Sequence, residues 1–363
     1  MRSKIILLIF GFFLFTLGSS YAQVEPEQKQ ERREAQKEER REELAAPPET
    51  AKDIIEQLKE RALIKLKEKR RQMLLKTKLS AGILYGFETN VNQDAETKGD
   101  YYVEEDFSLS WVPTFNKYLG LNTGYWLVNQ SYFEQTDSSS LDHALNFSLV
   151  LTPFESGKLK LEPGLEHEWL WYPTSKESSY ENQKYFLKLK HYIGKKWNYG
   201  GSYEYSEKTY DDKKARNQEK MSSPDIVRED TRHSADVYIT RYFGKLSLKV
   251  KYKIYENFSN EQYMEYYDYY SYKPSITLSR TFLKDDRLYV SFSPSFERKN
   301  YHHRTAVDTA RYDDITTLTT AAYYTIKKPF TLSYKFTYKK VQTNVATSRY
   351  KDITNVVGLT VDF

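Results

Sequence analysis

The stretch YKDITNVVGLTVDF, residues 350–363, alternates along its whole length. Ile353, Asn355, Val357, Leu359, Val361 and Phe363 fall on one face; Asp352, Thr354, Val356, Gly358, Thr360 and Asp362 fall on the other. A two-residue period is that of a β-strand, here with one mostly apolar side and one mostly polar side. The apolar side ends on an aromatic ring.

The same alternation runs back to Lys76 and is cut by turn chemistry into fourteen segments: 77–90, 101–112, 117–133, 140–152, 157–171, 179–193, 197–210, 231–243, 245–258, 268–282, 287–301, 311–325, 330–343 and 350–363. Their connections alternate in length. Short ones lie at Pro113 to Asn116, Pro153 to Ser156, Gly194 to Lys196, Gly244, Leu283 to Asp286 and Ile326 to Pro329. Long polar ones lie at 91–100, 134–139, 172–178, 211–230, 259–267, 302–310 and 344–349. An even strand count, with short turns at one end and long loops at the other, is the pattern of a membrane barrel.

Side-chain parity says which face meets lipid. In 245–258, Leu246, Leu248, Val250, Tyr252 and Ile254 share one side, and Lys245, Ser247, Lys249, Lys251 and Lys253 the other. A lysine facing hydrocarbon near the midplane costs about 2–4 kcal/mol, so this face is expected to point inward. Aromatics gather at strand ends, among them Trp111, Trp197 and Phe330 beside short turns and Trp169, Trp171 and Tyr301 beside long loops, which predicts two interfacial girdles. A tyrosine cluster, Tyr263, Tyr266, Tyr267, Tyr269, Tyr270 and Tyr272, extends one girdle or offers a platform on the rim. Segments of this length exceed the strands of soluble sandwiches and propellers, and blade-like repeats are missing. The expected fold is all-β, an antiparallel transmembrane β-barrel of about fourteen strands, preceded by a short charged periplasmic helical segment.

Bulk composition agrees. The chain has 33 Tyr and 19 Phe but no Cys, and its mean hydropathy is negative, at −0.76. A wall that needs only every second residue apolar can span lipid and still average as hydrophilic. With no cysteine there is no disulfide, thiolate site or lipidated N-terminal Cys. Lys and Arg total 55 against 50 Asp and Glu, a balance too even to argue for nucleic acid.

Residues 1–22 read as a signal peptide: Arg2 and Lys4, an apolar core from Ile5 to Leu17, and Ser20-Tyr21-Ala22 as a cleavage site. Residues 23–50 form a charged linker, and Pro47 and Pro48 stop any helix there. In 51–75, Ile54, Ile55, Leu58, Ala62, Leu66 and Met73 recur at helical spacing, predicting a basic amphipathic helix. It reads as a plug, a docking element for a periplasmic protein, a basic surface against headgroups, or a solvated spacer. The barrel is expected to occupy 76–363, with both termini in the periplasm.

An aromatic residue closing such a strand resembles the last strand of bacterial outer-membrane barrels, where the barrel assembly machinery reads it; the resemblance makes Val357, Leu359, Val361 and Phe363 the assembly signal. LSAGILYGFETNVN (79–92) and LSYKFTYKKVQTNVATSRYKDITNVVGLTVDF (332–363) resemble the barrel of the surface lipoprotein assembly modifiers. That resemblance implies fourteen strands in the outer membrane of a Gram-negative bacterium. Members of that family carry periplasmic helical repeats before the barrel. Residues 23–75 are too short for the three or so repeats of about 34 residues that stability needs, so only barrel membership carries over.

The sequence holds no Gly-x-Ser-x-Gly elbow and no His-Glu-x-x-His helix. His143, His167 and His191 fall on the apolar parity, and His302 and His303 sit in a loop, so no enzyme, metal or cofactor is expected. Inward charges give the better lead. Parity places Lys188, Lys190, Lys245, Lys249, Lys251, Lys253, Lys273, Lys335 and Lys339 on the inner wall, with Glu104, Asp106, Glu162, Glu166 and Glu168, and pairs such as Glu166 or Glu168 with Lys188 are expected. The 20-residue connection 211–230 is expected to fold inward as a constriction. The expected function is a porin-like channel for small polar or anionic solutes. The alternative is a non-enzymatic assembly or interaction barrel whose helix at 51–75 docks a periplasmic partner or assists display of a client.

Overall fold

The computed structural model describes residues 77–93, 97–154, 158–217, 222–262, 267–306 and 309–363. The expected signal peptide, linker and basic helix lie outside these residues, as do Tyr263 and Tyr266.

Fourteen antiparallel strands close on themselves. In chain order they are β1 (Thr77–Glu88), β2 (Asp100–Trp111), β3 (Leu119–Tyr132), β4 (Ser140–Leu151), β5 (Leu159–Trp171), β6 (Tyr180–Ile193), β7 (Trp197–Arg216), β8 (Ser222–Phe243), β9 (Leu246–Ser259), β10 (Tyr269–Phe282), β11 (Leu288–Ala306), β12 (Thr309–Lys327), β13 (Phe330–Thr343) and β14 (Tyr350–Asp362). Each pairs with its chain neighbours, and the ring shuts where β1 meets β14, from Ser80↔Asp362 to Glu88↔Thr354. Beyond β14, the Phe363 amide donates to the Leu79 carbonyl at 2.8 Å. Closure leaves no strand edge with unpaired amides for lipid to meet.

The exterior is apolar. Ile83, Leu145, Ile239, Ile276, Leu332 and Val357 are all exposed, alternating with inward polar residues along their strands. In water such a continuous surface would be an aggregation hazard; in hydrocarbon it is the solvent-matched face. Trp111 and Phe330 stand exposed near the short turns and Trp171 near the long loops, as the two girdles require.

Short turns follow from local chemistry. The Asn116 side-chain oxygen accepts from the amides of Tyr118 and Leu119 at 2.8 and 2.9 Å, fixing the β2–β3 turn. Between β8 and β9 a two-residue turn places Gly244 at φ +62°, where a Cβ would be strained.

Two long connections differ from expectation. The described part of 211–230 is not an inward constriction: 211–216 continue β7 and 222–230 open β8, so both stretches extend the wall. Arg228 grips Asp230 through two bonds of 2.9 and 2.6 Å, its guanidinium lies 3.2 Å from the Tyr267 ring, and Asn260 donates to the Val227 carbonyl at 2.8 Å. Likewise 302–306 belong to β11 and 309–310 to β12, beyond a register shift between Asn300 and Thr305. Both segments are polar on both faces, which is what a strand above the membrane looks like.

Candidate functional site: the charged inner wall

A ring of fourteen strands spaced about 4.8 Å apart and tilted by about 40° is about 28 Å across, backbone to backbone. Side chains alone cannot fill that width, so the inner wall is the candidate site.

The inner charges divide by strand. From β14 round to β5 the inward acids among the described strand residues are Asp352, Asp362, Glu88, Asp100, Glu104, Asp106, Asp142, Glu162, Glu166 and Glu168, with Lys78 and Lys160 as bases. From β6 round to β13 the order inverts. Lys184, Lys188, Lys190, Lys208, Arg232, Lys249, Lys251, Lys253, Lys273, Lys299, Arg311, Lys335 and Lys339 face Glu204, Asp230, Asp236, Glu297 and Asp313. Strands seven apart lie on opposite sides of a fourteen-strand ring, so β1 and β2 look across the lumen at β8 and β9. A transverse field results.

The basic wall is built across four strands. Register aligns Lys190 with Gly200, Tyr238 and Lys251, and Lys188 with Ser202, Asp236 and Lys253. Lysine columns on β6 and β9 thus bracket a shallower floor on β7 and β8. Asp236 is held by Ser202 (2.6 Å) and Lys251 (3.1 Å). Lys188, Lys190, Lys249 and Lys253 make no ion pair within 4.0 Å among the described residues; Lys249 lies 4.3 Å from the Tyr238 ring and Lys188 3.9 Å from the Phe186 ring. Lys273 is drawn to Glu297 at 3.2 Å, a carboxylate that also accepts from Tyr255 and from Ser271.

On the acidic half, Glu88 accepts from the Tyr132 hydroxyl at 2.7 Å, and Tyr132 packs against Tyr102 at 5.2 Å between ring centres. Glu162 accepts from Ser148 at 2.8 Å and Asn122 at 3.3 Å. At the two borders between halves opposite charges meet. Lys184 on β6 bridges Glu166, at 2.8 Å, and Glu168 on β5. Lys339 on β13 is in register with Asp352 on β14 and donates to Gln93 at 2.9 Å.

Two expectations change here. Lys245 is not on the inner wall: it is the second residue of the β8–β9 turn and pairs with Asp286 of the next turn at 2.7 Å, both well exposed. The hydrogen bond from Lys245 holds the Asp286 carboxyl below its ordinary value of 3.8. Glu166 and Glu168 pair with Lys184 rather than Lys188, because register puts Lys184 opposite Glu166. Round the ring, Lys339 is in register with Asp352 and Lys335 with Val356 of β14, away from the lysines of β6 and β9. The inner wall also takes Lys184, Lys208, Arg232 and Asp142, which lie on the inward parity of their strands but outside the residues singled out from sequence. On the outer face His143 stacks on Trp169, 4.9 Å between rings, and His191 bonds Tyr199 at 2.7 Å.

No protein-family model matches the chain, and no curated protein matches it; the likeness of its first and last strands to the assembly modifiers stays a likeness of those residues. Among solved structures it is similar to a channel titled CymD monoaromatic hydrocarbon channel (11% identity, 79% of this chain and 88% of that one, TM-score 0.45). It is similar also to OmpT, an outer membrane protein of Vibrio cholerae (10%, 79% and 99%, TM-score 0.43), and to OccAB3 of Acinetobacter baumannii (10%, 79% and 99%, TM-score 0.42). At such scores these likenesses carry no functional argument, and the barrel assignment rests on the closed pairing of β1 with β14 and the apolar exterior.

Proposed function

We propose that the protein is an outer-membrane channel that passes small polar or anionic solutes without covalent chemistry, its chain ends and short turns in the periplasm. The observation that carries this reading is the division of the inner wall into an acidic half and a basic half. A water-filled lumen with opposed charges orients dipolar solutes and draws anions along one side. The unpaired lysines on β6 and β9 supply that side, and screening by salt over about 8–10 Å leaves their field effective at the wall. Planar-bilayer recording of the refolded full chain tests it. Stepwise conductance with a reversal potential on the anion side, shifted toward cations by Lys249→Glu with Lys253→Glu, is the expected result. A barrel that inserts but passes no current would overturn the reading.

A further inference from the structure

A cavity of about 400 Å³ opens at the long-loop end of the inner wall, lined from β11, β12, β13 and β14 and by Gln93. Its volume lies at the low end for small-molecule sites. Lys299, Arg311 and Lys339 bring cationic side chains to it, and Asp313 is the single acid in its lining. That acid is already saturated: it accepts from Arg311 through Nε (2.9 Å) and Nη2 (3.1 Å) and from the Tyr301 hydroxyl (2.8 Å). The lysines are less engaged. Lys339 spends one donor on Gln93, and Lys299 comes no nearer than 3.8 Å to its carboxylate neighbour Glu297. An ammonium has three donors, so capacity remains for an incoming anion.

The rest of the lining narrows the ligand. Thr347, Ser348 and Tyr350 add hydroxyls on one side, while Ile315 and Val341 give an apolar patch on another. Gln93, held in the left-handed region at φ +53° with its amide bonded to the Asn90 carbonyl at 3.1 Å, reaches over the cavity and accepts from both Lys339 and Tyr350 at 2.9 Å. The β1–β2 loop is thereby pinned to the opposite end of the barrel sequence at the cavity's edge.

We propose that this cavity is a binding site for a small organic anion of monosaccharide size that carries one carboxylate and several hydroxyls. The carboxylate meets Lys299 and Lys339, the hydroxyls meet Thr347 and Ser348, and the ring face rests on Ile315 and Val341. The site does not depend on conduction, since it needs only the folded wall and Gln93.

Calorimetric titration of the full chain, refolded in detergent, with D-glucuronate, D-glucose and acetate tests it. Glucuronate is expected to bind with a Kd of about 1 mM or tighter, and glucose and acetate at least about tenfold more weakly. Lys299→Gln with Lys339→Gln is expected to weaken glucuronate about tenfold or more, while Lys339→Arg retains most of the affinity. Glucuronate binding no tighter than glucose, or unchanged in the double glutamine variant, overturns the site. A barrel that binds glucuronate but passes no current keeps this site and loses the channel; one that conducts but does not bind keeps the channel and loses the site.

Discussion

Tyr238 lies across Gly200: its hydroxyl sits 2.7 Å from where a Gly200 Cβ would begin, and the Leu189 carbonyl oxygen lies closer still to the same point. The missing side chain lets a large ring fold down against the basic wall beside Lys249 rather than stand out into the lumen.

Gly200→Ala is therefore expected to destabilise the barrel by about 1–3 kcal/mol, because backbone as well as ring must shift. Removing the ring with Tyr238→Ala in the same chain should recover only part of that loss, since the carbonyl contact remains. Urea unfolding in detergent measures both, and a Gly200→Ala barrel as stable as its parent would contradict the geometry.

Lys184 neutralises two carboxylates at the border of the halves. Lys184→Met should cost about 1–3 kcal/mol by leaving half-buried Glu166 and buried Glu168 side by side on β5 without a cation. Adding Glu166→Gln and Glu168→Gln should return most of it. A triple variant no more stable than the single one would show that the packing of the lysine stem, not its charge, matters.

In the turns, the Asp286 carboxyl is held down by its bond from Lys245. A depressed carboxyl pKa adds stability above the ordinary carboxyl value, and that stability is lost as pH falls through the lowered one. With Lys245→Ala the Asp286 titration, followed by carbon NMR, should move up toward 3.8. An unmoved midpoint would mean that the pair does not persist in solution.

Phe363 is 72% exposed, so Phe363→Ala should change the stability of the refolded barrel by no more than about 0.5 kcal/mol. Its accumulation in the outer membrane of living cells should nevertheless fall sharply if the ring is read during assembly. Equal accumulation of the two proteins would remove the residue from that role.

How far these features could be read in advance depends on what surrounds each residue. Inside the hydrocarbon zone a strand must alternate, so Leu246 to Ile254 and Phe330 to Tyr338 announce both their conformation and their orientation. Above it both faces are wet, alternation loses its cause, and DDKKAR at 211–216 reads as a loop although it is strand. Parity likewise marks Lys184, Lys208 and Asp352 as inward, but which partner each meets is a matter of register, and the one-residue difference between expected and observed turn ends at Lys245 moved it out of the lumen. The partition into acidic and basic halves needed the ring itself: along the chain Lys335 follows other basic strands, and only closure sets it next to β14 and β1.

The seam between β1 and β14 also bears on how the molecule comes to exist. Ser80 and Asp362 are neighbours in space but stand at opposite ends of the barrel sequence, so the contact that removes the last bare strand edges waits for the final strand to arrive. Until then any partial sheet presents unpaired amides that neither lipid nor an apolar surface satisfies. Pairing between such distant segments is slow, and the unclosed chain is open to aggregation while it waits. The barrel therefore has no useful half-built form: its stability arrives with the last pairing rather than strand by strand.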